Sequence, residues 1–201
     1  MKNYKWIVVI MLILVLPLLG MKEKENIAQG RVIHFDKAKG SVTIILNKNA
    51  DHLSPEYSSL PPLTFKLPAA PQEIGYFPKA GLRLKLDTKQ NEIVIFDEAN
   101  QKIKTLIYTR IAQKENIAEN NPLVLENGRP QKFPIISRKK KLITIYSERQ
   151  RILTTFALPA EYFSLPRYTW EAGDEVLIHF KEDGNTRRAT KIVKIGLMKA
   201  K

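Results

Sequence analysis

The chain contains no cysteine in its 201 residues. That excludes disulfide staples, thiolate zinc sites, a thiol nucleophile and lipid attachment through an N-terminal cysteine. The fold must therefore stand on its apolar core. Histidine is nearly as scarce. His34, His52 and His179 are not at ligand spacing from one another, so no metal site is expected. Glycine is sparse, with 9 residues, and none builds a phosphate-cradling loop or a G-x-S-x-G elbow. Long amphipathic helical patterning is missing. The carboxylate pairs Asp97-Glu98, Asp174-Glu175 and Glu182-Asp183 sit side by side at turns, where acid–base partners would converge across a cleft. No cofactor and no catalysis are expected.

Uncharged apolar sequence is concentrated at the start. From Trp6 to Leu19 no charge occurs, with Lys2 and Lys5 ahead and Lys22 behind. The run is short for a bilayer span, which needs about 20 apolar residues. It suits a secretory signal, with Pro17 ending the apolar helix before the exit. Small residues are few around the exit, Gly20 being the one that qualifies, so residues 1–20 read as a signal peptide or an N-terminal membrane anchor. Either way the remainder is expected outside the cytoplasm, in the periplasm or on the outer side of the cytoplasmic membrane, with membrane contact through the N-terminal segment if it is kept.

The net charge of +13 is uneven. Residues 21–120 carry 15 basic and 12 acidic side chains, while residues 121–201 carry 16 and 8. An exported basic surface attracts anionic lipid headgroups, acidic envelope polymers or acidic proteins. Export argues against nucleic acid as the partner.

The remaining sequence reads as short strands punctuated by turns. Arg31–Phe35 and Ser41–Leu46 flank Asp36-Lys37-Ala38-Lys39-Gly40, and Gly81–Leu86 alternates leucine with base. Leu142–Tyr146 and Ile152–Leu158 flank Ser147–Gln150. Three segments recur. Lys24–Ala28 returns as Lys114–Ala118, Thr64–Ala69 as Thr155–Ala160 with one change, and Ala80-Gly81 as Ala172-Gly173. Their constant order and near-constant spacing predict a tandem duplication. The expected fold is all-β: two tandem small antiparallel β-barrels, the first over 24–111 and the second over 122–198, joined by a linker at 112–121.

One order of features recurs in this reading. A hairpin leads into a strand ending in Leu-Pro, then a short helical turn, then Gly-Asp-x-Val. The residues are Phe156, Leu158, Pro159, Gly173, Asp174 and Val176, with Phe65, Leu67, Pro68 and Gly81 as the earlier counterparts and Leu82 in place of the Asp. At the level of architecture this resembles OB-like or related small barrels of exported bacterial proteins. The resemblance implies a barrel but transfers no catalytic residue.

Two groups of side chains stand out for binding. Arg138-Lys139-Lys140-Lys141 is the sharpest charge run. Arg149, Arg151, Arg187, Arg188, Lys191 and Lys194 are expected near it if the second barrel forms as drawn. Such a patch would meet an anionic partner, or simply guard a solvated hairpin. Tyr162, Tyr168 and Trp170, with Arg167 among them, suit a stacking platform or equally a plug for an open barrel end. The expected function is an exported, non-catalytic binding or adaptor module of the bacterial envelope with an anionic partner. The alternatives are a structural or assembly protein docking on another envelope protein, and an OB-like nucleic-acid-binding protein. Mass analysis of the mature N-terminus separates cleavage from anchoring: loss of about the first 20 residues means cleavage, and their retention means anchoring.

Overall fold

A computed structural model describes residues 25–49, 55–68 and 74–195. The expected leader, residues 1–20, lies outside the described residues. Among the described residues no helix is long and apolar enough to cross a membrane. The chain is all-β. Its strands are β1 (Asn26–Asp36), β2 (Ser41–Leu46), β3 (Leu63–Lys66), β4 (Arg83–Asp87), β5 (Glu92–Asp97), β6 (Lys102–Ile107) and β7 (Thr109–Lys114). They continue as β8 (Leu125–Glu126), β9 (Arg129–Pro130), β10 (Ile135–Ser137), β11 (Leu142–Ser147), β12 (Ile152–Ala157), β13 (Glu175–Asp183) and β14 (Thr186–Lys194).

Turn chemistry sets the hairpins. The β1–β2, β4–β5 and β5–β6 turns each open on an aspartate whose Oδ1 accepts backbone N–H groups two or three residues on: Asp36 from Ala38 and Lys39, Asp87 from Lys89 and Gln90, Asp97 from Asn100. This Asx arrangement reverses the chain locally. These turns and those at β10–β11 and β11–β12 finish on a left-handed residue: Gly40, Asn91, Gln101, Lys141 and Arg151. Hairpins close well through that conformation.

Five strands close a barrel in the order β1-β2-β3-β14-β13. Neighbours are antiparallel except β3 and β14, which run parallel with Lys66 opposite Arg188. Ala28, Val32, Val42, Ile44, Phe65, Val176, Ile178, Phe180, Ala189 and Ile192 fill its interior with Ile74. The Phe65 and Phe180 rings meet edge to face at 5.0 Å. Burial of each large apolar side chain contributes about 1.5–3 kcal/mol.

The strands β4 to β12 are inserted between β3 and β13 of that barrel. β4-β5-β6 form one sheet, β10-β11-β12-β7 another, and β8-β9 a small hairpin. Tyr108 alone separates β6 from β7, so a nearly continuous strand passes from one sheet to the next. The two larger sheets share one core. It takes Leu86, Ile93, Ile95 and Leu106 from the first, Ile143, Ile145 and Phe156 from the second, with Leu158, Phe163 and Trp170 beyond β12. A third cluster joins insert to barrel: Ile33 and Ile45 from β1 and β2 pack with Leu82, Leu84 and Phe96. Alternation along β1 turns Val32 inward and Ile33 towards the insert, and a bulge between Val32 and His34 then shifts the alternation so that Phe35 packs on the barrel core.

The sequence-derived boundaries differ from this arrangement. The closed barrel combines β1–β3, from the stretch 24–111, with β13–β14, from the stretch 122–198. The expected linker at 112–121 begins inside β7, where Ala112, Gln113 and Lys114 pair with Thr155, Thr154 and Leu153. Alternation identifies a strand, while its partners are chosen by non-local packing. The repeated letters also diverge. Ile27 lies in β1 and is 58% exposed, whereas Ile117 follows β7 and is 5% exposed. Phe65 and Phe156 do share an environment, each fully buried in a strand. Beside them the cross-strand pairs Thr43–Thr64 and Thr144–Thr155 join Oγ1 atoms at 2.9 and 2.8 Å.

The Ala80-Gly81 and Ala172-Gly173 pairs lie against one another where the chain leaves and re-enters the barrel. Leu82 and Arg83 each bridge to Ala172. Gly81 N–H donates to the Val32 carbonyl at 3.2 Å, and Val32 N–H to that of Asp174 at 2.9 Å. A Cβ on Gly173 would overlap the Val32 carbonyl oxygen, and one on Gly81 that of Glu171. Both obstacles are backbone. Gly173→Ala is expected to cost about 3 kcal/mol. Gly128→Ala, at a left-handed residue with open space around it, is expected to cost about 1–2 kcal/mol. Urea midpoints measure both, and equal shifts would refute the crowding.

Candidate functional site

The segment after β12 carries the candidate site. Pro159 and Pro166 each precede a 3-10 turn, at Ala160–Ser164 and Arg167–Trp170. A proline there presets φ and needs no backbone donor. The first turn sends Phe163 into the insert's core and the second sends Trp170. Tyr162 and Tyr168 are left beside a cleft.

That cleft has a volume of about 330 Å³ and lies between the β5–β6 hairpin and the two turns. Phe96, Leu165, Tyr162 and Tyr168 give it a largely apolar, aromatic surface, and Asp97, Glu98, Glu161 and Lys104 supply its charges. Lys104 Nζ is 2.5 Å from Asp97 Oδ2. Bonds from Lys104 and then Asn100 push the Asp97 carboxyl down to about 2. The Tyr168 hydroxyl donates to Glu98 Oε2 at 2.7 Å, fixing a half-exposed ring at the rim. The carboxylate raises the Tyr168 hydroxyl's pKa.

The three aromatic candidates therefore separate. Tyr162 and Tyr168 share the cleft. Trp170 is fully buried and offers no face for stacking, acting as a core plug beside Leu158 and Phe163. Its indole Nε1 has no hydrogen-bond partner among the described residues.

The basic candidates separate too. Arg138–Lys141 forms the exposed β10–β11 turn, and Arg138 Nε donates to the Phe163 carbonyl at 3.2 Å, docking the turn on the 3-10 segment. Arg149 and Arg151 belong to the β11–β12 turn, at the far end of β11. Six strand residues put those turns roughly 20 Å apart. Arg187 and Arg188 lie on β14 of the barrel, beside Glu182 at 4.0 Å and Asp183 at 3.3 Å. Lys194 lies 2.8 Å from Asp174 Oδ1. The expected composite patch is thus divided among separate sheets and ends, because consecutive hairpin turns point opposite ways.

Two adjacent carboxylates at the barrel seam do structural work. Asp174 stands just before β13 and Glu175 opens it, and the two carboxylates take different partners: Asp174 meets Tyr76, Lys79 and Lys194. Glu175 meets the Tyr57 hydroxyl, Arg31 Nε at 3.4 Å, and the amides of Asn47 and Gln29 at 3.3 and 3.4 Å. The Asn47–Tyr57 bridge brings Tyr57 there. Burial raises the Tyr57 hydroxyl above its ordinary range, and Glu175 adds to the shift against the opposing effect of Arg31. Arg83 lies near Arg31 and donates from Nε to the Trp170 carbonyl at 3.0 Å; burial, then Arg31, push its pKa down. Among the described residues no three His, Cys, Asp or Glu side chains converge as a metal would require.

Sequence reasoning missed Asp97, Glu98, Lys104 and Glu161 as neighbours of the tyrosines. Asp97 and Glu98 read as turn residues, and nothing local ties them to a segment some 70 positions later. Tyr57 gave no signal either, being 118 residues from Glu175.

Residues 23–200 match the family model described as "Domain of unknown function (DUF4881)", and the chain belongs to that family. No curated protein matches it, and neither does any solved structure.

Acid should loosen the seam. Burial would raise the Asp174 pKa, but Lys194, the Lys79 N–H and the Tyr76 hydroxyl outweigh burial and hold it below 3.8. A depressed folded pKa contributes stability above the unfolded value and loses it as pH falls through the folded one. The urea midpoint is expected to fall as pH drops below about 3.8, and to fall less in Asp174→Asn. An unaltered pH slope in that variant would assign the loss to other carboxylates.

Proposed function

We propose that this member of the family is an exported, non-catalytic binding or adaptor module of the cell envelope. It meets an anionic partner through the turn Arg138–Lys141. The turn itself carries this reading: four consecutive exposed cations stand at a hairpin tip, and the one that is tied down, Arg138, is held by a carbonyl rather than an acid. On the barrel, by contrast, Arg187, Arg188 and Lys194 have acidic neighbours. Like charges held together repel, and an opposing anionic surface relieves that repulsion. The apolar start flanked by Lys2 and Lys5 supports export.

The barrel is read as OB-like. Support comes from its five-strand closure, its single parallel pair, and a long connection between its third and fourth strands that carries the insert. This reading bears on architecture and adds no nucleic-acid partner.

The test compares phosphatidylglycerol-rich with phosphatidylcholine vesicles. Lys139→Ser, Lys140→Ser and Lys141→Asn together remove three charges, and asparagine suits the left-handed backbone of residue 141. At about 1 kcal/mol per lysine, partition onto the anionic vesicles should drop roughly a hundredfold. Native binding should fade with added salt. Arg187→Gln with Arg188→Gln should change partition by less than about threefold, since exposed acid-paired cations contribute little. Undiminished binding by the triple variant excludes this turn. Salt-insensitive capture of one defined protein would favour the assembly role.

A further inference from the structure

We propose that the cleft between the β5–β6 hairpin and the segment 161–169 is a binding site for a small organic cation, an ammonium or guanidinium group carried on an apolar body. The site is distinct from the cationic turn and extends the reading above. Its volume of about 330 Å³ suits a small ligand.

Charge decides the class of occupant. Asp97, Glu98 and Glu161 line the cleft, and Lys104 is the one cation among its lining residues. Lys104 is committed to Asp97 at 2.5 Å. Glu98 accepts the Tyr168 hydroxyl, a neutral donor that leaves its charge uncompensated. Two negative charges therefore remain on a largely apolar cleft, within a chain whose net charge is +13. An anion would be repelled there.

The walls favour an organic cation over a hydrated metal ion. Tyr162 and Tyr168 present rings, and Phe96 and Leu165 present hydrocarbon. Ring faces attract alkylated ammonium and guanidinium groups, and the hydrocarbon takes the attached chain. Tyr168 also has its hydroxyl anchored on Glu98, so its ring is held in place before any ligand arrives. Anchored rings lose little freedom on binding.

The experiment titrates the full chain by calorimetry with three probes of one length: hexyltrimethylammonium, 1-hexanol and hexanoate. Saturable binding of the ammonium is expected, at least tenfold tighter than the alcohol, with hexanoate not bound. Glu98→Gln with Glu161→Gln should weaken the ammonium at least tenfold while leaving the alcohol unchanged. Tyr168→Phe, which keeps the ring, should weaken it less than Tyr168→Ala. Unfolding midpoints of the variants confirm that each is folded. Equal affinity for ammonium and alcohol, an unaffected double Gln variant, or no saturable binding of the ammonium would each overturn the proposal. The triple variant of the 139–141 turn should bind the ammonium normally, so failure of this site and failure of the anionic-partner reading are read separately.

Discussion

The architecture depends on a close crossing of backbones at the neck between barrel and insert. There β1 is overlain by the two connecting segments, with Gly81 and Gly173 against carbonyl oxygens that leave no room for a Cβ. The hydrogen bonds at Val32 pass through this point, and Asp174 N–H reaches the Lys79 carbonyl across it at 2.8 Å. The crossing starts β4 over β1 and delivers β13 to its place beside β1. Around it, the Arg31–Tyr57–Glu175 group holds the barrel side, and Ile33, Ile45, Leu82, Leu84 and Phe96 fill the space towards the insert. A buried group of this kind is costly to leave incomplete, so it favours one arrangement of the seam over looser ones.

Local features were legible in the sequence wherever local physics sets them. The turn opened by Asp36 and closed by Gly40 reads directly from its residue types, as does the alternation that buries Leu84 and Leu86 while Arg83 and Lys85 face away. Pairing was not legible. β3 lies beside β14 because Phe65 shares one interior with Ala189 and Ile192, and nothing in either strand names the other. The recurrence of Ala-Gly was visible, but its cause was hidden. The two pairs are neighbours in space, each needing the smallest residue on account of the same crossing.

The residues that stood out for binding show the same division. A run of four cations needs no structure to be noticed, and an Arg among tyrosines draws attention by composition. Whether such residues cooperate is set by topology. Hairpin geometry removes Arg149 and Arg151 from the Arg138 turn, and barrel membership removes Arg187 and Arg188. Folding of the 3-10 segment onto the β5–β6 hairpin adds Glu98 to Tyr168. The 3-10 segment thus has a cationic turn docked at Phe163 and an acidic, aromatic cleft beside Tyr162 and Tyr168.

The parallel seam between β3 and β14 has a consequence for how the chain matures. Strands β1 to β3 emerge early during synthesis, yet the strands that complete their cylinder come last, beginning at Glu175. Until then the early strands keep two raw edges, and such edges recruit foreign strands. The insert, whose strands pair only with one another, can assemble in the interval. Maturation is therefore nested, the inner unit before the outer one, and a ribosome that stalls short of the final hairpin releases an open, adhesive sheet.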